Sequence, residues 1–325
     1  MASSYLTLVN NVLRDFNEVE LTSSNFGASR GVQTTVKDYV NRSITDLINS
    51  ELNWPFTQAT GSIDVIAGKQ LYSHTSIAST LKYVDYDNMF LRPKNYITNG
   101  TYEVSGSASI TGWTTVSGSP AASSKFGNTL LLTNAKVTQE ISDLIVGRSY
   151  IILTQTSGGT LTLDVGTSSG GSQTKSATLT ISNANEVSLN ETTFTATAIT
   201  HFVSFTEAAG GAAYVKLVEL SENIEPIPLK YLSYEQYNER YRERDNRLDT
   251  DKFADPEYVY TTYNDEIGLT PIPDTSNRTL EFDYYVSHTD LSSSTDTSII
   301  PTRLEPVVNA RAKYYTHMFR SDVQA

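Results

Sequence analysis

Apolar residues recur at helical spacing in two segments near the N-terminus. The first segment carries them at i, i+3, i+4, i+7, i+8 and i+11, at Tyr5, Leu8, Val9, Val12, Leu13 and Phe16. Ser3 or Ser4 precedes this segment as a candidate N-cap. The second segment repeats the spacing from Val32 to Leu52 and ends at Trp54, because the next residue is a proline, which disfavours the helical conformation of its predecessor. The pattern predicts two packed amphipathic helices.

The apolar spacing changes to a period of two after Phe56. Residues 62–66 and 70–72 alternate around a turn at residues 67–69, which is typical of a β-hairpin. Residues 81–91 are a further strand candidate. Near Asn99 the composition shifts abruptly to small and polar residues with paired glycines. The shift indicates that a different structural unit begins there.

Short alternating runs fill the region between residues 98 and 222. They are Leu130–Leu132, Tyr150–Leu153, Leu161–Val165, Phe202–Phe205 and Val215–Leu217. Only three of the 20 tyrosines of the chain lie in this region, so its composition differs from that of both flanks. Several short strands at turn-separated intervals, with no helix between them, predict an all-β sandwich of the jelly-roll type.

The tyrosine-rich composition returns near residue 226. Ser233 and Gln236 have the spacing of a capping box, which predicts a short helix. Strand candidates follow at residues 258–263, 267–272 and 279–286. Thr302 and Glu305 form a second capping box that opens a final helix, whose predicted apolar face is Leu304, Val307, Val308, Tyr315 and Phe319.

Because the second tyrosine-rich stretch resembles the first, we predict that residues 98–222 interrupt one domain. The first framework part then spans residues 1–97, the inserted β-sandwich 98–222 and the second framework part 223–325. Such insertions succeed where the two flanks of the host domain lie close together. The predicted fold class is α+β: a helical bundle plus an antiparallel β framework, with an inserted all-β jelly-roll-like sandwich.

Composition removes several kinds of chemistry. The chain has no cysteine, which excludes disulfides, thiolate catalysis, zinc–thiolate sites and iron–sulfur clusters. The formal net charge is −12 and none of the three predicted segments is basic, so tight binding to nucleic-acid phosphates is not expected. No 18-residue apolar run occurs, and we therefore expect no membrane partner.

One short motif matches a catalytic pattern. Residues 27–31 read G-x-S-x-G around Ser29, but a nucleophile elbow requires a preceding buried strand and a later Asp and His on an α/β sheet. A polar stretch precedes this motif, so an interhelical loop is the favoured interpretation. The four histidines, His74, His201, His288 and His317, show no metal-ligand spacing. We predict no catalytic, metal or cofactor site, and therefore a protein that is not an enzyme.

Two further polar features have mainly structural interpretations. Asp249, Asp251 and Asp255 lack the glycine and terminal glutamate of a calcium loop, which favours a solvated acidic loop. Tyrosines crowd the second framework part: Tyr231, Tyr234, Tyr237, Tyr241, Tyr258, Tyr260, Tyr263, Tyr284, Tyr285, Tyr314 and Tyr315. Tyrosine is enriched both in β-sheets and at subunit interfaces, and as a group these residues favour assembly.

The framework resembles the head-to-tail adaptor family of short-tailed bacteriophages, also called tail tubular or connector proteins. The similar features, in order, are Asn17-Glu18-Val19, Trp54-Pro55-Phe56, Val65–Tyr72, Gly268–Asp274, Tyr284-Tyr285, Asp296, Ile300-Pro301, and Ala310 and Ala312 in the final helix. The resemblance implies a structural virion protein of the phage neck or tail, assembled in the cytoplasm of the bacterial host. It brings no catalytic residue.

The same resemblance implies a set of partners. Such adaptors form a ring, usually a dodecamer, between the portal protein and the tail nozzle protein, with a channel through which DNA passes without specific binding. Contacts to tail fibre or capsid are further expectations. Adaptors often end in a segment that docks on the portal, whereas this chain ends soon after its last helix, so either that segment is short here or the chain is incomplete.

The insert separately resembles a carbohydrate-binding module of the jelly-roll type. The similar segments are Asn99–Glu103, Gly112–Thr114, Gln139–Ile141 and Gly147–Tyr150. The resemblance implies an alternative function, in which the insert binds a host glycan and the framework tethers it to the virion. Trp113 is the possible glycan contact, because sugar sites use exposed aromatic rings, although a core position is the favoured interpretation of this residue.

Overall fold

The structure is a computed structural model that describes residues 2–73, 80–102, 110–179, 185–247, 252–264 and 266–323. By their internal contacts, residues Met1–Leu91, Ile227–Ser276 and Leu280–Ala325 form one compact unit, the framework. Residues Arg92–Pro226 and Asn277–Thr279 form the other, the inserted unit. The division at 97/98 and 222/223 stays a prediction of the domain limits.

Five helices and 18 strands make up the described secondary structure. The helices are α1 (Tyr5–Asp15), α2 (Val32–Asn49), α3 (Tyr234–Arg240), α4 (Arg242–Asp245) and α5 (Glu305–Val323). The strands are β1 (Gln58–Asp64), β2 (Leu71–Ser73), β3 (Leu81–Pro93), β4 (Thr114–Ser117), β5 (Ala121–Ser123), β6 (Thr129–Leu132), β7 (Ala135–Ile141), β8 (Ser149–Gly158), β9 (Leu161–Gly166), β10 (Lys175–Leu179), β11 (Ser188–Thr195), β12 (His201–Glu207), β13 (Ala213–Glu222), β14 (Ile227–Pro228), β15 (Lys230–Leu232), β16 (Tyr258–Thr261), β17 (Glu266–Thr270) and β18 (Arg278–Val286).

A three-helix layer of α1, α2 and α5 contains the first core of the framework. Helix α1 buries the apolar face that its spacing predicts, from Tyr5 to Leu13, and Ser4 caps it by accepting a hydrogen bond from the backbone N–H of Thr7. Each such leucine or valine contributes roughly 1.5–3 kcal/mol when fully buried. Helix α5 adds Val308 and Ala312 to the same core.

Two four-stranded sheets contain the second core of the framework, with strand orders β1-β18-β3-β14 and β15-β16-β17-β2. The predicted hairpin over residues 62–72 is wrong, because β1 lies beside β18 and β2 pairs with β17 in the other sheet. Alternation shows which face of a strand is buried, but it does not identify the partner strand. The predicted turn is present, and its Gly68 N–H donates to the carbonyl of Pro273.

The two chain segments that flank the inserted unit meet in one sheet. Leu91 of β3 pairs directly with Ile227 of β14 in antiparallel register. Directly paired residues of antiparallel strands lie about 4.5–5.5 Å apart at Cα. The framework backbone therefore leaves and returns at neighbouring positions, as a tolerated insertion requires.

The inserted unit is a sandwich of two five-stranded sheets, with strand orders β10-β9-β12-β7-β4 and β11-β8-β13-β6-β5. One continuous apolar core is formed by side chains of both sheets, including Leu163 and Phe205 of the first and Ile152 and Leu220 of the second. The strand pairs recorded in both sheets are antiparallel, whereas β15 and β16 of the framework are parallel. The fold is α+β with an all-β jelly-roll-like sandwich, which confirms the predicted class.

Candidate functional site

Helix α5 packs one face against α1 and α2. Val308, Ala312 and Thr316 are buried on that face, and the Thr316 hydroxyl donates to the carbonyl of Ala312. The predicted capping box at the start of the helix is wrong, because Thr302 lies inside a 3₁₀ turn, Thr302–Leu304, whose N-cap is Pro301. Glu305 accepts hydrogen bonds from the backbone N–H and the hydroxyl of Ser3, both at 2.7 Å, and so links the start of α5 to the N-terminal segment.

Charged side chains hold the orientation of α5. Arg311 donates from Nε to Asp46 Oδ2 on α2 at 2.8 Å, and Tyr315 donates to the same carboxylate. Desolvation raises the pKa of Asp46, but the hydrogen bonds from Tyr315 and Arg311 outweigh it and hold the pKa below its usual 3.8. Two further ion pairs join Lys313 to Asp15 and Arg320 to Glu18. The rotation of α5 about its axis is thus fixed.

The opposite face of α5 presents apolar side chains to solvent. Val307, Tyr314 and Met318 lie at i, i+7 and i+11 and are 47%, 59% and 49% exposed. We call these three residues the α5 stripe. The sequence predicted Val307 for the packed face, and the structure corrects this, because neighbouring Val308 occupies the core. A helix face with anchors at this spacing has the form that partner proteins use in helix docking.

The tyrosines of the second framework part divide into packed and exposed residues. Tyr237 and Tyr260 are buried and stacked, with ring centroids 3.7 Å apart and planes inclined by 8°. Gly268 lies beneath the Tyr260 ring, where a Cβ would come within 2.2 Å of it. Tyr231, Tyr263 and Tyr314 are exposed, and the half-buried tyrosines are Tyr234, Tyr241, Tyr258, Tyr284 and Tyr315. The exposed tyrosines present the most ring surface for assembly contacts.

A buried carboxylate near these tyrosines was missed by sequence reasoning. Asp245 pairs with Arg244 at 3.0 Å and accepts hydrogen bonds from Thr270 Oγ1 at 2.8 Å and from Gln70 Nε2 at 2.9 Å. The Gln70 amide also donates to the Tyr237 hydroxyl at 3.1 Å. The network fastens α3 and α4 to β17, and every polar partner is satisfied, which indicates a structural role.

The residues of the nucleophile-elbow motif lie in a loop between α1 and α2. A 3₁₀ turn at Phe26–Ala28 precedes Ser29 where the elbow would require a strand. The Ser29 hydroxyl accepts from Lys37 Nζ at 3.3 Å and from the Thr34 hydroxyl at 3.5 Å. The loop interpretation is therefore the one that the structure supports.

The described histidines belong to different structural elements. His201 is buried in the inserted unit and contacts Thr197, whereas the His317 ring lies against Phe16 in the helical layer, with centroids 4.5 Å apart and planes inclined by 57°. His288 is half-buried, and burial lowers its pKa. His74 and the pair Asp249 and Asp251 lie outside the described residues. Within the described ranges, no group of three or more acidic or histidine side chains is arranged to hold a metal ion.

Trp113 lies in the core of the inserted unit. It is 9% exposed, its ring packs against Tyr102 and Phe205 with centroids 5.6 and 5.7 Å apart, and its indole N–H donates to the carbonyl of Asn99. This is the position that the sequence favoured. A glycan contact at Trp113 stays a prediction.

Comparison with protein families gives one match. The SU10 adaptor protein model matches residues 176–325, which cover the inserted sandwich from β10 onward and the second framework part, including the α5 stripe. No curated protein matches the sequence. In the part of the chain that the structure describes, none of the helices has the length and apolar character to cross a bilayer.

Comparison with solved structures gives similarities over about 40% of the chain. The enzymatically active domain of tailspike protein 4 from bacteriophage CBA120 has 15% identity and a TM-score of 0.33, over 39% of this chain and 21% of the tailspike chain. TmCBM61, solved with β-1,4-galactotriose, has 15% identity and a TM-score of 0.31, over 40% of this chain and 99% of its own. The CBM22-1 xylan-binding domain of Paenibacillus barcinonensis Xyn10C has 9% identity and a TM-score of 0.32, over 40% of this chain and 95% of its own.

Proposed function

We propose that this protein is a structural adaptor of a phage virion, located in the neck or tail. The SU10 adaptor match over residues 176–325 is the observation that carries the proposal. The exposed α5 stripe lies inside the matched region and supplies a surface for assembly. The described residues form no metal cluster, and the buried carboxylate of Asp245 has a structural role in the framework.

We further propose that copies of the protein form a ring between portal and tail nozzle. The family resemblance implies that this ring is a dodecamer. The α5 stripe would contact a neighbouring copy, because partly exposed apolar anchors flanked by polar residues are typical of subunit interfaces. Net charge supports a channel that DNA crosses without specific binding, since −12 on each copy repels phosphates. Assembly in the host cytoplasm and contacts to capsid or tail fibre belong to the same proposal.

The adaptor role is tested by measuring the mass of the purified full chain, alone and with its portal protein, by native mass spectrometry and electron microscopy. We expect a ring. A chain that stays monomeric and never binds portal would contradict the adaptor role.

The contribution of the α5 stripe is tested with the double variant Tyr314→Ser/Met318→Ser. Both side chains are about half exposed, so the fold should be retained. Ring formation should need a protein concentration at least about tenfold higher, because the loss of interface anchors weakens association. The matched control is Leu189→Ser/Ile199→Ser, which changes two exposed apolar residues of the inserted unit. Equal assembly of both double variants would remove the stripe from the proposal and leave the adaptor role standing.

Host-glycan binding through the inserted unit is the alternative function. The burial of Trp113 leaves little of its ring for a sugar, so this function requires another exposed aromatic residue with polar groups beside it.

A further inference from the structure

A cleft of about 270 Å³ opens on the outer face of the sheet that contains β6, β8 and β13. Its walls include Phe126 and Asn128 from the loop between β5 and β6, Gln155 from β8, and Lys216 and Leu217 from β13. The aromatic, amide and lysine groups thus come from three separate parts of the chain. All of them belong to the inserted unit.

Two backbone irregularities shape this cleft. Phe126 has φ of +61°, the left-handed region that side chains other than Gly, Asn and Asp rarely adopt. Its ring stands edge-on to Tyr214, with centroids 6.1 Å apart, and Lys125 Nζ lies 4.5 Å from the Tyr214 centroid. Backbone strain that the surrounding structure holds in place is concentrated at ligand sites, which makes this loop a candidate for binding.

The second irregularity is a β-bulge on β13. Val215 pairs with Thr156 and Leu217 pairs with Gln155, so Lys216 is an extra residue in the ladder. The bulge directs both Lys216 and Leu217 into the cleft, while Val215 and Val218 on either side remain in the core. Bulges commonly redirect side chains toward functional sites.

The polar groups of the cleft have no protein partners. Within the residues that the structure covers, no hydrogen bond or ion pair engages the side chain of Asn128, Gln155 or Lys216. The described lining residues include no Asp or Glu, although the chain as a whole has a net charge of −12. Two amides, one unpaired ammonium and an aromatic ring therefore face one shallow opening.

We propose that this cleft binds an acidic polysaccharide that carries uronic acid residues. The apolar C–H face of a sugar ring would pack on Phe126, as apolar surface packs on aromatic rings. The amides of Asn128 and Gln155 can each donate to and accept from ring hydroxyls. The uronate carboxylate would accept from Lys216 Nζ, a charge-assisted bond of the stronger class. This inference deepens the alternative function and does not depend on the ring.

Binding is measured by calorimetry on the full chain with oligogalacturonate and alginate oligosaccharides, and with neutral galactan and xylan oligosaccharides of the same length. We expect the acidic probes to bind at least about tenfold more tightly than the neutral ones, and higher salt to reduce this preference because the lysine is exposed. Equal affinity for both classes, or no binding of any probe, would overturn the proposal.

Three variants locate the site. Lys216→Gln should remove the preference for acidic probes, and Phe126→Asn should weaken both classes about tenfold, because asparagine tolerates the left-handed backbone but lacks the ring. Lys175→Gln, an exposed lysine on β10 in the other sheet, is the matched control and should bind as the wild type does. Thermal unfolding checks that each variant is folded. If the Lys216→Gln variant kept the wild-type preference for acidic probes, the proposed site would be overturned. This outcome does not depend on whether the chain assembles into a ring.

Discussion

The inserted unit and the framework are stabilised in different ways. One apolar core fills the inserted sandwich, whereas the framework divides its apolar residues among a helical core, a sheet core and the small tyrosine cluster around Tyr237 and Tyr260. Many small cores bury less surface per residue than one large core, so polar links matter more to the framework.

Those polar links join residues that are far apart in the chain. Asp15 pairs with Lys313, Glu18 with Arg320, and Asp46 with Arg311. Each link connects the first framework part to α5, across the whole inserted sequence. The interrupted framework is thus joined across the insertion by specific ion pairs, whereas the sandwich is filled by one apolar core and keeps polar links such as Lys136 with Asp164 inside the inserted unit.

The largest expected effect is on the inserted unit. Trp113→Ala should lower the free energy of unfolding of this unit by about 3–5 kcal/mol, because it leaves a cavity beside Tyr102 and Phe205. Urea unfolding followed by circular dichroism measures the change. Leu189→Ala, at a position that is 69% exposed in the same unit, is the control and should change it by less than about 0.5 kcal/mol. A loss as small as that of the control would show that Trp113 is not a core residue.

A smaller effect is expected in the framework. Asp245→Ala should lower the free energy of unfolding by about 3 kcal/mol. The change removes the carboxylate to which Gln70 and Thr270 donate, and it leaves the partly exposed Arg244 without its ion pair. Hydrogen exchange with mass spectrometry should show faster exchange in α3, α4 and β17, and an unchanged exchange rate in the inserted unit. The control is Glu243→Ala, one of the most exposed side chains of α4. Equal effects of both variants would mean that the buried network contributes little.

The sequence predicts those features that depend on local periodicity. The apolar spacing of α1 identifies every buried residue from Tyr5 to Leu13, and Ser233 and Gln236 form the predicted capping box. Both depend on residues within a few positions of one another. The composition change near residue 99 likewise marks the inserted sandwich, because the tyrosine content of the two units differs.

Features that depend on distant partners could not be predicted. The burial of Asp245 requires Gln70, which is 175 residues away, so its charge-rich surroundings in the sequence suggest a solvated helix instead. The predicted pairing of β1 with β2 was wrong for the same reason, because the partner strands are distant in the sequence. The cleft depends on the left-handed backbone conformation of Phe126 and on the bulge at Lys216. Neither feature alters the apolar pattern enough to be recognised in one sequence.

The smallest expected effect concerns a buried carboxylate of the inserted unit, which tests whether that unit needs any polar link. Glu207 accepts hydrogen bonds from the backbone N–H groups of Asn134, Ala209 and Gly211, at 2.6, 2.9 and 3.2 Å. Desolvation raises the pKa of Glu207, but these donors outweigh it and hold the pKa below its usual 4.5. The ionised carboxylate therefore stabilises the folded state.

Glu207→Gln should lower the free energy of unfolding by about 1–2 kcal/mol at pH 7, because an amide replaces a charged acceptor of several hydrogen bonds. A carboxyl whose folded pKa is depressed stabilises the fold above its unfolded pKa and loses this contribution as pH falls through the folded pKa. The difference from wild type should thus be constant above roughly pH 5.5 and shrink below pH 4.5. Urea unfolding in a Trp54→Phe background, where Trp113 is the remaining tryptophan, reports on the inserted unit alone. A difference that does not change with pH, or one equal to that of the exposed control Glu191→Gln, would mean that burial alone is sufficient for the sandwich.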